Sequence, residues 1–145
     1  NGWDKSKLVS RYTTVGPDSA PHRAMLRAMG LTDEDIADIA DVALTDDVDG
    51  LIATNTTIGR EGVENEPFAG EAGGLSGAPV RGKATHVITV LADALEGRMP
   101  IIGVGGIDSL ETAREKLAAG ASLIQVYTGF IYQGPGLVKE LVRGL

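Results

Sequence analysis

The chain has 145 residues, enough for one domain with a real core, and its hydrophobic (43%) and charged (23%) fractions are those of a globular protein. A formal charge of −7 argues against a general nucleic-acid or anionic-membrane surface, and the absence of cysteine excludes disulfides, thiolate metal sites and a cysteine nucleophile. The two histidines, His22 and His86, lie too far apart for a histidine metal motif, and no apolar run approaches the roughly 18 residues of a membrane span. With no apolar signal region at the start, the expected compartment is the cytoplasm.

Asn1 to Ala20 has no period and reads as loop; Pro21 is placed to open a helix that Gly30 would end. From Leu31 to Leu44 the signals agree on a helix. Thr32 is an N-cap, Asp33, Glu34 and Asp35 occupy the first turn, and Ile36, Ile39, Ala40 and Ala43 share one stripe. Asp49-Gly50 then turns the chain into a short strand of the buried kind, Leu51 to Thr54. Ile58 to Val80 is a long loop punctuated by glycine and proline, the kind of segment that in a compact domain is usually functional or disordered. Arg81 to Leu95 is a helix with Val87, Ile88, Leu91 and Leu95 on one face and Gly97 as its stop.

A βαβ unit follows: a strand at Ile101 to Val104, a helix from Ser109 to Ala119, and a second strand from Ala121 to Val126. Residues after Thr128 are placed for a short extra helix. Gly134-Pro135-Gly136 breaks the chain, and Leu137 to Leu145 closes it as a helix with Leu137, Val138, Leu141 and Val142 on its apolar side. Strands alternating with helices predict a parallel α/β sheet. Three strands cannot close a barrel, which takes about 200 residues or more. The expectation is therefore a small open sheet or part of a (β/α)8 barrel.

Four segments rich in glycine or hydroxyl residues lie at or after strand ends: Thr54 to Thr57, Gly73 to Gly77, Gly103 to Gly106, and Tyr127 to Gly129. The carboxyl ends of parallel strands share one face, so all four can converge on one ligand. Bare backbone at Gly105-Gly106, with the Thr128 hydroxyl nearby, suits a phosphate. Gly105-Gly106 alone reads equally well as a tight strand-to-helix turn. The second loop, at the right distance, favours the phosphate. Thr54 and Asn55 both donate and accept, which suits a flat heterocycle with carbonyls and ring N–H groups. No general acid or base lies in the four segments. Asp108 reads as a helix N-terminal residue and His86 as structural or exposed.

The segments ATNTT (Ala53–Thr57), GGLSGAP (Gly73–Pro79), PIIGVGGI (Pro100–Ile107) and QVYTGFIYQGP (Gln125–Pro135) resemble the C-terminal part of class 2, quinone-dependent dihydroorotate dehydrogenase, from about Leu31 to Leu145. The resemblance implies a partial TIM (β/α)8 barrel made of C-terminal βα units only, with residues 1–30 a leader and 31–145 the barrel part. It implies FMN as cofactor, dihydroorotate and orotate as ligands, and quinone as electron acceptor in a full-length family that associates peripherally with the membrane. By position, Thr54 would contact FMN, and Asn55 and Thr56 would hydrogen-bond orotate. Gly77, Gly105 and Gly106 would approach the ribityl chain and phosphate, and Tyr127 and Thr128 would hold the phosphate.

Three family features have no counterpart in the sequence: the serine base, a flavin-contacting lysine expected where Arg23 to Gly30 stands, and the helical pair that receives quinone. No catalytic residue and no metal ligand is therefore assigned, and the chain by itself is expected to be inactive. The alternatives are a non-catalytic flavin- or phosphate-binding half-barrel that forms a homo-oligomer across its open sheet edges, and an inactive fragment whose edges aggregate.

Overall fold

The computed structural model describes residues 31–46 and 48–145. The expected helix at Pro21, the leader 1–30 and the segment 23–30 lie outside them.

Helix α1 (Asp33–Thr45) begins where its cap dictates. Thr32 Oγ1 accepts from the Asp35 amide at 3.2 Å and Asp35 Oδ2 accepts from the Thr32 amide at 3.0 Å. This reciprocal pair satisfies two orphan donors of the first turn. Strand β1 (Leu51–Ala53) follows, one residue shorter than expected, because Thr54 already belongs to the loop. After the long loop, a 3₁₀ turn (Ala78–Val80) leads into α2 (Arg81–Leu95), whose bounds match the sequence reading. Its stop comes one residue before the expected glycine: Glu96 itself takes the left-handed conformation, φ 50°, ahead of Gly97.

Strand β2 (Ile101–Val104) also matches its sequence bounds, and α3 (Leu110–Ala118) is capped by Ser109, whose Oγ accepts from the Thr112 amide at 3.3 Å. Strand β3 is only Leu123–Gln125, against the expected Ala121 to Val126, since it pairs with β2 alone and β2 offers partners from Ile102 to Val104. The short helix after Tyr127 is present as α4 (Thr128–Gln133), and α5 is Pro135–Gly144. The expected three-residue break between them shrinks to Gly134, φ 66°, because proline fits the first position of a helix, where its missing N–H is not needed.

The sheet is parallel in the order β1-β2-β3, with Leu51 opposite Ile101 and Ile102 opposite Leu123. One face is covered. A Cβ on Gly103 would meet Ile88 Cδ1 of α2 at 3.1 Å and Lys116 Cβ of α3 at 3.2 Å, so glycine lets both helices close on the strand. The core on this side joins Ile36, Ala40 and Ala43 of α1 to Ile88, Leu91 and Leu95 of α2 and Ile101 of β2. A second cluster joins Ile107 and Ala113 to Leu137 and Leu141 of α5. Val138 and Val142, expected on the buried side of that helix, are exposed.

The other face carries a bare apolar row across the three strands. Ile52 and Leu123, on either side of Ile102, are 62% and 60% exposed. This corrects the reading of β1 as a fully buried strand. Parallel sheets are ordinarily covered on both faces, and in a barrel such a row points inward. Among the described residues, no helix is long and apolar enough to cross a membrane.

Candidate functional site: a cleft at the strand ends

The carboxyl ends of the three strands open into a cleft of about 540 Å³, a volume typical of small-molecule sites. All eight residues singled out in the sequence line it: Thr54, Asn55 and Thr56 after β1, Gly77 before the 3₁₀ turn, Gly105 and Gly106 after β2, and Tyr127 and Thr128 after β3.

The first wall is held to the sheet by the Thr54 amide, which donates to the Val104 carbonyl at 3.0 Å. The Ala53–Thr54 peptide is cis. Asn55 Oδ1 accepts from the Thr56 amide at 2.7 Å, and its amide nitrogen has no partner among the described residues, so it is available to a ligand carbonyl. Thr57 is buried and exchanges two main-chain bonds with Leu75, 3.1 and 2.7 Å long. That bridge carries the segment Gly73 to Gly77 over the strand ends. Ser76 Oγ then accepts from Thr128 Oγ1 at 2.9 Å, joining the loop after β1 to the loop after β3.

The glycines of the second wall have positive φ, 116° at Gly105 and 71° at Gly106. Their Cβ positions run into α2: a Cβ on Gly105 would lie 2.9 Å from Ala84 Cβ, and one on Gly106 would lie 2.6 Å from Arg81 Cα. Packing therefore requires glycine at both positions. The tight-turn reading holds, and the same turn leaves a side-chain-free backbone along the cleft. Gly129 is pressed against the Ile107 carbonyl in the same way, and Gln133 Nε2 donates to the Asp108 carbonyl. Tyr127 is 69% exposed and makes no side-chain cap bond to α4.

Among the described residues, no Asp, Glu, His, Lys or Arg side chain lines the cleft. A bound anion would be stabilised by N–H groups and a hydroxyl rather than by a cation. Asp108 belongs to the α3 cap, its Oδ1 accepting from Thr112 Oγ1 at 3.3 Å. His86 is exposed and lies 2.7 Å from Asp33.

Behind the second wall stands a group the sequence did not mark. Lys116 is fully buried, and its Nζ donates to the Arg81 carbonyl at 2.7 Å and to the Thr85 hydroxyl. Burial pushes its pKa down and Arg81 adds to this, while Glu115 acts in the opposite direction. Arg81 Nε pairs with Glu115 Oε2 at 2.6 Å, and that hydrogen bond raises the arginine pKa further. Both contacts tie the start of α2 to α3, where the Gly105-Gly106 turn packs.

Residues 28–145 match the family model described as dihydroorotate dehydrogenase. The chain belongs to that family. It is 57% identical over 118 residues to the dihydroorotate dehydrogenase (quinone) of Azotobacter vinelandii, covering 81% of this chain and 34% of that protein. It is 59% identical over 138 residues to the enzyme of the same name from Aeromonas salmonicida, covering 95% and 40%. The chain thus spans about a third to two-fifths of the length of these curated dihydroorotate dehydrogenases. The crystal structure of Eimeria tenella DHODH with ferulenol superposes with a TM-score of 0.75 at 40% identity, over 80% of this chain and 31% of that one. The α/β architecture, a parallel sheet with one bare face, is part of a dihydroorotate dehydrogenase (β/α)8 barrel.

Proposed function

We propose that this chain forms the C-terminal part of a quinone-dependent dihydroorotate dehydrogenase and contributes one side of its FMN and dihydroorotate site. The observation that carries the reading is the convergence of three strand ends and one loop on a single cleft of about 540 Å³. The lining fits the cofactor: glycine backbone and one hydroxyl for a phosphate, and uncharged donors and acceptors for a flat heterocycle. The Gly105, Gly106 and Tyr127 backbone would hold the phosphate, and the Thr128 hydroxyl would donate to it by turning its one proton from Ser76 Oγ to the anion. Thr54 and Gly77 would border the flavin, and Asn55 and Thr56 would hydrogen-bond the orotate carbonyls and ring N–H groups. When bound, FMN supplies the hydride acceptor for oxidation of dihydroorotate to orotate. Quinone is the electron acceptor of the whole protein.

Among the described residues that line the cleft, none is suited to take the substrate proton, so the base would come from elsewhere in the whole protein. The purified chain is expected to bind FMN without oxidising dihydroorotate. The test is an FMN titration followed by flavin fluorescence, repeated with Thr128→Val, which keeps the shape and removes the hydroxyl. Loss of a hydrogen bond to a charged group is worth about 1.5–3 kcal/mol, so affinity should fall about tenfold or more. Equal affinity in the variant, or no binding by the parent chain, would refute the proposed cradle. The exposed row of Ile52 and Leu123 on edge strands favours one second reading, a flavin-binding half-barrel that pairs with another copy. Sedimentation of the FMN-loaded chain as a dimer, without turnover, would support it.

A further inference from the structure

Arg60 lies outside the cleft, at the root of the long loop between β1 and α2. Its guanidinium donates only to main-chain carbonyls. Nη1 reaches Ile58 at 2.9 Å, Gly59 at 3.2 Å and Thr57 at 3.4 Å; Nε reaches Ala69 at 2.9 Å; Nη2 reaches Gly73 at 2.8 Å and Glu71 at 2.9 Å. Three of these carbonyls belong to the limb leaving β1 and three to the limb returning toward α2. A planar fork with five N–H donors can serve both limbs at once, whereas an ammonium with three donors on a flexible stem cannot.

Just beyond the two limbs, the Thr57–Leu75 bridge closes. There Gly74 comes so near Thr56 that an added Cβ would lie 2.5 Å from Thr56 Cβ. One residue after the bridge, Ser76 takes the Thr128 hydroxyl. The two limbs therefore continue directly into two facing parts of the cleft, Asn55–Thr56 and Ser76–Gly77.

We infer that Arg60 is a positioning residue that fixes the gap between these two parts, and with it the orotate site. The ligand named rests on the function proposed above; the geometry does not. Hydrogen exchange of the full 145-residue chain tests the geometry, with the Thr57 and Leu75 amides as reporters and the β2 amides as control. In Arg60→Met and Arg60→Lys the two reporters should exchange at least tenfold faster, with β2 unchanged. In the FMN-loaded chain, orotate affinity should fall about tenfold and FMN affinity less than threefold. The inference is overturned by unchanged reporter exchange, by an equal acceleration in β2, by full rescue with lysine, or by faster reporter exchange with unaltered orotate affinity. If the parent chain binds neither FMN nor orotate, the proposed function fails, and the exchange of Thr57 and Leu75 alone decides the role of Arg60.

Discussion

Gly106 and Gly97 form a natural pair for measuring what packing demands of the turn after β2. Their φ angles are nearly the same, 71° and 75°, but a Cβ on Gly97 meets nothing within 4 Å, whereas one on Gly106 falls 2.6 Å from Arg81 Cα and 3.0 Å from Arg81 N. Alanine in the left-handed region costs roughly 1–2 kcal/mol at either position. Carbon atoms prefer about 3.5–4.0 Å. At Gly106 the obstacle is main chain, so relief requires moving the first turn of α2 or the β2 loop, an overpacking cost of about 1–3 kcal/mol. Gly97→Ala should therefore lose about 1–2 kcal/mol and Gly106→Ala about 2–5 kcal/mol. Urea unfolding followed by far-UV circular dichroism, without ligand, reads the difference as a midpoint lower by about 1 M, given a slope of about 1–3 kcal/mol per M. If Gly106→Ala lost no more than Gly97→Ala, the turn would have slack and the packing argument would be wrong. Gly105 carries the same lesson: with φ 116° and Ala84 Cβ at 2.9 Å, a valine there would damage the fold and any ligand site together.

Lys116 makes stability depend on alkaline pH. Burial lowers its folded-state pKa below the ordinary 10.5. Between those two values the unfolded chain binds more protons, so stability should rise with pH across that window and stay flat below it. Lys116→Met should abolish the rise, and parallel pH profiles of urea midpoints for the two proteins would contradict the assignment. Lys116→Ala should fall below Lys116→Met by about 2–4 kcal/mol, because the buried stem leaves a cavity; thermal unfolding of the pair reads this directly. Ser109→Ala removes one half of the α3 capping box and should cost about 1 kcal/mol, whereas Ser109→Gly should cost only a few tenths.

Where local chemistry decides structure, the sequence was a sufficient guide. Thr32 and Ser109 announced their helices because a hydroxyl before an apolar-periodic run has few other uses. Arg81 to Leu95 showed its helical period over its whole length, and Ile101 to Val104 was marked as an apolar run of strand length. The glycine and hydroxyl segments of the cleft were visible because each directly follows a strand or closes the loop that does. Features set by distant partners were not visible. The ends of β3 depend on where β2 stops, and the exposure of Ile52 depends on how the elements pack on the two faces of the sheet. Arg60 works through main-chain carbonyls, which leave no periodic trace in the loop. Ser76 sits among glycines with nothing to distinguish its hydroxyl. Lys116, in the run Arg114-Glu115-Lys116, reads as a solvated position, and only Gly103 across from it shows how little room the two elements leave.

The register of the sheet also sets an order of assembly. Ile102 meets Leu123 after a short excursion through α3, whereas Leu51 must find Ile101 about 50 positions away. Chain-closure entropy makes the longer search costlier by about 0.8 kcal/mol. The β2–β3 ladder should then be protected ahead of the β1–β2 ladder in pulse-labelled exchange during refolding. By the same order, the half of the cleft built by Gly105, Gly106 and Thr128 should be in place before Asn55 and Thr56 reach their edge.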